Sequence, residues 1–140
     1  MALTSQGIDM AQVEYYLGID FGEARIGLAL ANSVARLPSA YAVLPNDTQI
    51  WATLEEIINQ ERIDQLVVGL PRDVGGQETE QSQNTRTFAA ELARHCKQPL
   101  VMADESLSSV RAASSSRYKP TNAKHQDDIA ACYILEEFLG

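Results

Sequence analysis

Two cysteines, two histidines and a single tryptophan are present among 140 residues, and each scarcity removes a class of chemistry. Cys96 and Cys132 are far apart and lie in apolar helical patterns, so they read as reduced core residues rather than a disulfide or redox pair. His95 and His125 lack zinc-type spacing. No run reaches the roughly 18 apolar residues of a membrane span. Neither a phosphate-loop motif nor a G-x-S-x-G elbow occurs. The serine-rich "SLSSVRAASSSR" has no base placed to activate a nucleophile and reads as a capping and solvated segment. Basic residues are also few: 11 Lys and Arg against 19 Asp and Glu, a net charge of −8. That excludes a chain-wide basic field binding nucleic acid through counterion release. It leaves open a local basic rim from Arg72, Arg86, Arg111, Arg117, Lys119 and Lys124, although count alone favours scattered solvated charges.

What is present suits one globular domain. Apolar residues make up 45% of the chain, enough for a core at this length. Residues 1–14 lack a basic segment followed by an apolar core, so they are expected to form a flexible extension and not a secretory signal. Residues 15–140 are expected to be a single cytoplasmic domain, a monomer or weak homodimer without membrane contact.

Apolar runs place strands at about 15–20 and 25–31, joined by the turn "DFGEA", and a third near 40–44 that stops at Pro45. Asn46 and Asp47 can cap a following helix, in which Ile50, Trp51, Leu54, Ile57 and Ile58 recur at helical spacing. "DQLVVGL" gives a fully apolar strand at about 65–69, followed by the irregular loop "GLPRDVGGQETEQS", whose glycines allow backbone N–H groups to approach a phosphate. A helix is expected at 80–97 with Phe88, Ala89, Leu92, Ala93 and Cys96 inward, then a strand at 99–104 and a short helix at 107–116. The last helix, about 124–139, is apolar on most sides and should bury against the sheet. The order β-β-β-α-β-α-β-α-α predicts a mixed five-stranded sheet in an α/β fold. It combines a three-stranded antiparallel meander with two parallel strands and has helices on both faces.

Ligand sites in such sheets lie beyond the carboxyl ends of the central strands. Three sources of carboxylate reach that edge: Asp20 closing the first strand, Asp104 and Glu105 closing the fifth, and Asp127 and Asp128 opening the last helix. Carboxylates brought together repel unless a divalent cation neutralises them, and magnesium suits oxygen ligands. Each acid also has a plain role as a turn residue or a helix N-terminal acid. Successive strand residues face opposite ways, and adjacent helical residues diverge by about 100°. One acid of each pair should therefore face the site, and spacing does not choose which.

"GIDFGEARIGLAL", "LVVGLPRDVGG", "DESLSS" and "DDIAACYILEEFL" resemble, in order and spacing, the motifs of the YqgF-type family of pre-16S rRNA nucleases, also described as Holliday-junction-resolvase-like. The resemblance spans about residues 15–139 and implies an RNase H-like fold. Its motifs G-x-D-x-G-x-K-R-I-G, V-V-G-L-P, D-E-R-L and D-x-x-A-A-x-x-I-L place three catalytic, metal-binding acids on Asp20, Glu105 and Asp127. The resemblance thus selects Glu105 over Asp104 and Asp127 over Asp128. It implies a nuclease dependent on Mg2+ or Mn2+, acting on ribosomal RNA precursor or, as a neighbouring alternative, on branched DNA. Arg25, Arg111 and Lys124 are the candidate phosphate contacts. Ala24 and Ser106 stand where the family has Lys and Arg, and "RDVGG" replaces a pattern nearer L-N-M-D-G.

Parts of the sequence also fit two other functions. "DFGEARIG" matches the D-x-G-x-x-x-x-G phosphate loop of actin-like and sugar-kinase phosphotransferases, but 140 residues do not supply the second domain such enzymes need. A noncatalytic nucleic-acid-binding module of the same fold is the other alternative, favoured by the acidic charge and by Ala24 and Ser106.

Overall fold

Continuous apolar runs, buried on both faces of the central strands, set the architecture. The structure, a computed structural model, describes residues 12–71, 75, 77–104, 118–121 and 127–140. Strands β1 (Tyr15–Phe21), β2 (Arg25–Asn32) and β3 (Ser39–Pro45) form the antiparallel meander, followed by helix α1 (Ile50–Gln60). Strand β4 (Gln65–Leu70), helix α2 (Glu80–His95), strand β5 (Leu100–Asp104) and helix α3 (Asp127–Leu139) complete the described elements. The sheet order is β3-β2-β1-β4-β5, so β1 is central. It pairs antiparallel with β2 and parallel with β4, and β4 pairs parallel with β5. The expected mixed sheet is the one observed. The expected helix at 107–116 and the loop residues 72–74 and 76 lie outside the described residues.

The two faces of the sheet differ in side-chain size. Leu17, Ile19, Ile26, Leu28, Leu66 and Val68 face α1 and α2, where they join Ile50, Leu54, Ile57, Ile58, Phe88, Ala89 and Leu92 in one core. Burying each such large aliphatic side chain contributes about 1.5–3 kcal/mol. Phe21 extends this core to the strand end, stacking on Phe88 at 4.6 Å, and Phe88 in turn stacks on Trp51 at 5.4 Å.

The opposite face is built of small residues. Tyr16, Ala29, Ala31, Val67 and Ala103 pack there with Ala131, Cys132, Ile134 and Leu135 of α3. A Cβ at Gly18 would meet Leu135 Cγ at 2.6 Å and the Ala131 carbonyl oxygen at 3.0 Å, so α3 lies close against β1. Such a close fit explains why α3 is buried on most sides, as its composition predicts. Cys132 is buried in this layer, and burial, with the nearby charges of Asp128 and Glu136, pushes its thiol up to about 12. It is a packing residue, as expected, and Cys96 is also a free thiol.

Two local expectations are corrected. Ala93 is exposed, and the inward stripe of α2 runs instead through Ser82, Thr85, Phe88, Ala89 and Leu92. The Asn46 side chain does not cap α1. Its Nδ2 donates to the carbonyls of Gly22 and Glu23 at 2.9 and 3.2 Å, clamping the β1–β2 turn. Asp47 shapes the entry to α1, with Oδ1 accepting the Gln49 N–H at 2.9 Å. Helix α2 begins with a reciprocal capping box: Thr79 Oγ1 accepts the Ser82 N–H at 3.1 Å, and Ser82 Oγ accepts the Thr79 N–H at 2.8 Å. Thr79→Ala is expected to cost about 1 kcal/mol, measurable as a lowered midpoint in urea denaturation.

Candidate active site at the end of the central strand

Asp20 is the penultimate residue of β1, half-buried, at the carboxyl end of the central strand. Strand alternation puts it on the α3 face with Tyr16 and Gly18. Its cross-strand partner on β2 is Gly27. A Cβ at Gly27 would stand 2.1 Å from the Asp127 carbonyl oxygen and 2.7 Å from the Asp128 nitrogen. The missing side chain is therefore what lets the first turn of α3 descend onto the strand pair beside Asp20.

This approach brings two carboxylates from opposite ends of the sequence into one electrostatic neighbourhood. Burial, with the Asp127 charge added to it, pushes the Asp20 carboxyl from 3.8 up to about 7. Removal from water disfavours the charged form, and a second negative charge disfavours it further. Asp127 is itself paired: Arg25 Nε donates to its Oδ2 at 3.2 Å. The Arg25 side chain is 42% exposed and that of Asp127 27%, so this ion pair lies at the rim of the site. Arg25, read from the sequence as a phosphate contact, is paired here with an acid.

Three of the four paired acids, Asp104, Asp127 and Asp128, are among the described residues. Asp104 has the parity of Leu100 and Met102, which face α1 and α2, and it is exposed on the side away from Asp20. Asp128 turns away from Asp127 and is fully buried. Its Oδ2 accepts the Thr121 N–H at 2.8 Å and a short hydrogen bond from Thr121 Oγ1. Its Oδ1 has no hydrogen-bond partner among the described residues. Asp128 ties Thr121 to the start of α3, while the Asp127 charge acts on Asp20. Glu105, Arg111 and Lys124 lie outside the described residues, as do Arg72 and Arg117. Arg86 is engaged elsewhere, with Nη2 3.0 Å from Glu78 Oε2.

Among the described residues, no group of three or more His, Cys, Asp or Glu is arranged to hold a metal ion. The donor set at Asp20 and Asp127 nevertheless has the chemistry of a hard-cation site. It offers only carboxylate oxygens, and it places one of them where ionisation is unfavourable without a compensating positive charge. Gly27 was not singled out from the sequence as a site residue. Its signal was there in the "RIG" run, but its meaning depends on which helix lies above it.

The model of the RuvX family, described as Holliday junction resolvase, matches residues 14–140. A protein of Maridesulfovibrio salexigens named "Putative pre-16S rRNA nuclease" is 34% identical over 130 residues, covering 89% of this chain and 96% of the relative. Proteins of the same name from Anaeromyxobacter sp. and Legionella pneumophila are 36% and 33% identical, each covering 89% of this chain and 95% and 94% of their own lengths. Among solved structures, T. thermophilus RuvC in complex with a Holliday junction substrate superposes with a TM-score of 0.54 at 13% identity, covering 87% of this chain and 91% of that one. The Fowlpox virus resolvase gives 0.53 at 12% identity, covering 89% and 96%. At these identities the likeness is one of fold, and it agrees with the RNase H-like architecture expected from the motifs.

Proposed function

The chain belongs to the RuvX family of Holliday junction resolvases, and from that premise we propose that it is a divalent-metal-dependent nuclease hydrolysing phosphodiester bonds in the precursor of 16S ribosomal RNA. The observation that carries the reading is the meeting of Asp20 and Asp127 beside Gly27, with Asp20 pushed up to about 7. Relatives named for pre-16S rRNA cleavage, matched over nearly their whole length, support the substrate. The work is cytoplasmic, in ribosome biogenesis, and is done by one domain over residues 15–140 with residues 1–14 as an extension. Among the described residues no helix is long and apolar enough to cross a membrane.

Asp20, Glu105 and Asp127 would hold Mg2+ or Mn2+. When bound, such an ion supplies neutralisation of the carboxylates and polarisation of the phosphodiester. Asp20 sits on the central strand, whose backbone is fixed by neighbours on both sides. Asp127 is oriented by Arg25 Nε, and the exposed part of the Arg25 guanidinium can meet a phosphate oxygen at the rim. Arg111 and Lys124 are the further phosphate contacts. Together these cations supply the local positive charge that a chain of net charge −8 lacks overall.

The family description favours a second reading, resolution of branched DNA, and a noncatalytic module remains the non-enzymatic alternative. One experiment separates them. Purified protein is incubated with structured 16S precursor RNA and with a four-way DNA junction, with Mg2+ or Mn2+ or with EDTA. Cleavage of the RNA that needs the metal and falls to background in Asp127→Asn is the expected result. Cleavage of the junction alone would select the resolvase, and binding without cleavage the module. Cleavage that persists in EDTA would refute the metal assignment.

A further inference from the structure

We propose that Phe21, Gln81 and Asn84 form a nucleobase-recognition pocket beside the catalytic edge, which selects the base flanking the cut. The inference rests on the nuclease reading and names a specificity site for it. A cavity of about 340 Å3 lies between the β1–β2 turn and the first turns of α2, lined by Phe21, Gly22, Glu23, Glu80, Gln81 and Asn84. That volume is within the ~300–1,000 Å3 range of small-ligand sites. Phe21 directly follows Asp20, and successive Cα atoms are about 3.8 Å apart. The two side chains leave the same strand end on opposite faces. Asp20 and the cavity thus lie on either side of one strand end, and a nucleic-acid strand that crosses this edge with its phosphate at Asp20 reaches the cavity from the β1–β2 turn.

The lining chemistry fits a base and rejects a phosphate. No described lining residue is a cation, and Glu23 and Glu80 contribute two carboxylates that repel the nucleic-acid backbone. Gln81 and Asn84, spaced i and i+3, lie on one helix face. Each carries a donor and an acceptor, the pairing that reads a base edge. Neither side-chain amide is engaged by a hydrogen bond with another described residue. The Phe21 ring, braced from behind by Phe88 at 4.6 Å, is a stacking platform. The carboxylates accept from exocyclic amino groups, as Asp and Glu accept from the N4 amino group of cytosine. The pocket is thus selective for amino-bearing bases over uracil or thymine.

Its walls are rigid before any ligand arrives. Asn46 Nδ2 holds the Gly22 and Glu23 carbonyls at 2.9 and 3.2 Å, and the Asn46 N–H donates to the Ala24 carbonyl at 3.0 Å. On the other wall, the Thr79–Ser82 capping box fixes the start of α2. A pre-ordered pocket loses little entropy on binding, which raises its affinity for a base that fits.

The test is to sequence the product ends from an RNA pool randomised around the cleavage position, for wild type, Gln81→Ala and Asn84→Ala. Wild type is expected to favour an amino-bearing base at one position next to the cut. Each variant should flatten that preference about 10-fold. An unchanged preference in both variants, or none in wild type, would overturn the pocket while leaving the nuclease reading intact. If wild type cleaves nothing, the nuclease reading fails and binding decides the pocket. The same variants are then titrated with 8-mers of rA, rC, rG and rU. Discrimination against rU that is lost in Gln81→Ala and Asn84→Ala upholds the pocket, and equal affinities or no binding refute it.

Discussion

Asp20→Asn is expected to abolish cleavage and at the same time to make the metal-free protein more stable. The carboxyl titrates at 3.8 in its ordinary state and is pushed up to about 7 in the folded chain, by burial first and the Asp127 charge second. The native state therefore binds this proton more tightly than the unfolded state does. Its contribution to stability is fully present below about pH 3.8 and is lost as pH rises through about 7. Between those limits metal-free wild type loses stability relative to the Asn variant, by about 2–4 kcal/mol at pH 8. For a domain of this size that corresponds to roughly 5–10 °C in Tm. Thermal melts of both proteins from pH 4 to 8 in EDTA would show the curves diverging upward through that window. Added Mn2+ should raise the Tm of wild type at pH 8 and leave that of Asp20→Asn nearly unchanged. Parallel curves across the pH range would show that Asp20 carries no such strain.

Gly27→Ala is expected to lower activity far more than Gly18→Ala does. The added Cβ would lie 2.1 Å from the Asp127 carbonyl oxygen and 2.2 Å from its carbon, where ordinary contact needs about 3.5 Å or more. Both obstacles are backbone, so no rotamer change relieves the clash and the start of α3 must retreat by more than an ångström. Overpacking of this kind costs about 1–3 kcal/mol. Moving Asp127 by about 1 Å relative to Asp20 is expected to lower kcat/KM on the order of 100-fold. Gly18→Ala is the control. Its nearest obstacle is the Leu135 side chain at 2.6 Å, which can adjust, and it lies a helical turn or more from Asp127. Similar destabilisation of both variants, with activity lost in Gly27→Ala alone, is the expected pattern in denaturant melts and cleavage rates. Equal activities would show that α3 need not approach Gly27 for catalysis.

Much of this fold was legible because its strands are short apolar runs bounded by turn residues and helix α1 keeps a period of 3.6. The meander, the two parallel strands and the buried last helix all follow from where apolar residues recur. Legibility failed where one residue type has two uses. Asn46 looks like a helix cap in sequence, yet its amide reaches back 24 residues to the β1–β2 turn. Ala93 continues the apolar pattern of α2 but lies where the helix has turned to solvent.

The candidate site divides along the same line. From sequence, alternation and helical rotation established that one acid of 104 and 105, and one of 127 and 128, could face Asp20. These are properties of the local backbone, and any chain with these elements inherits them. The motif resemblance selected Asp127, and only the tertiary structure showed that the start of α3 lies over Gly27 and brings the Asp127 charge to bear on Asp20. It also showed that Asp128 is buried against Thr121 and that Asp104 points to the far face. Those outcomes depend on how closely a helix settles on a sheet. That closeness is set jointly by Gly18, Gly27, Ala29 and Ala131, residues distant in sequence whose small size has meaning only once they face one another.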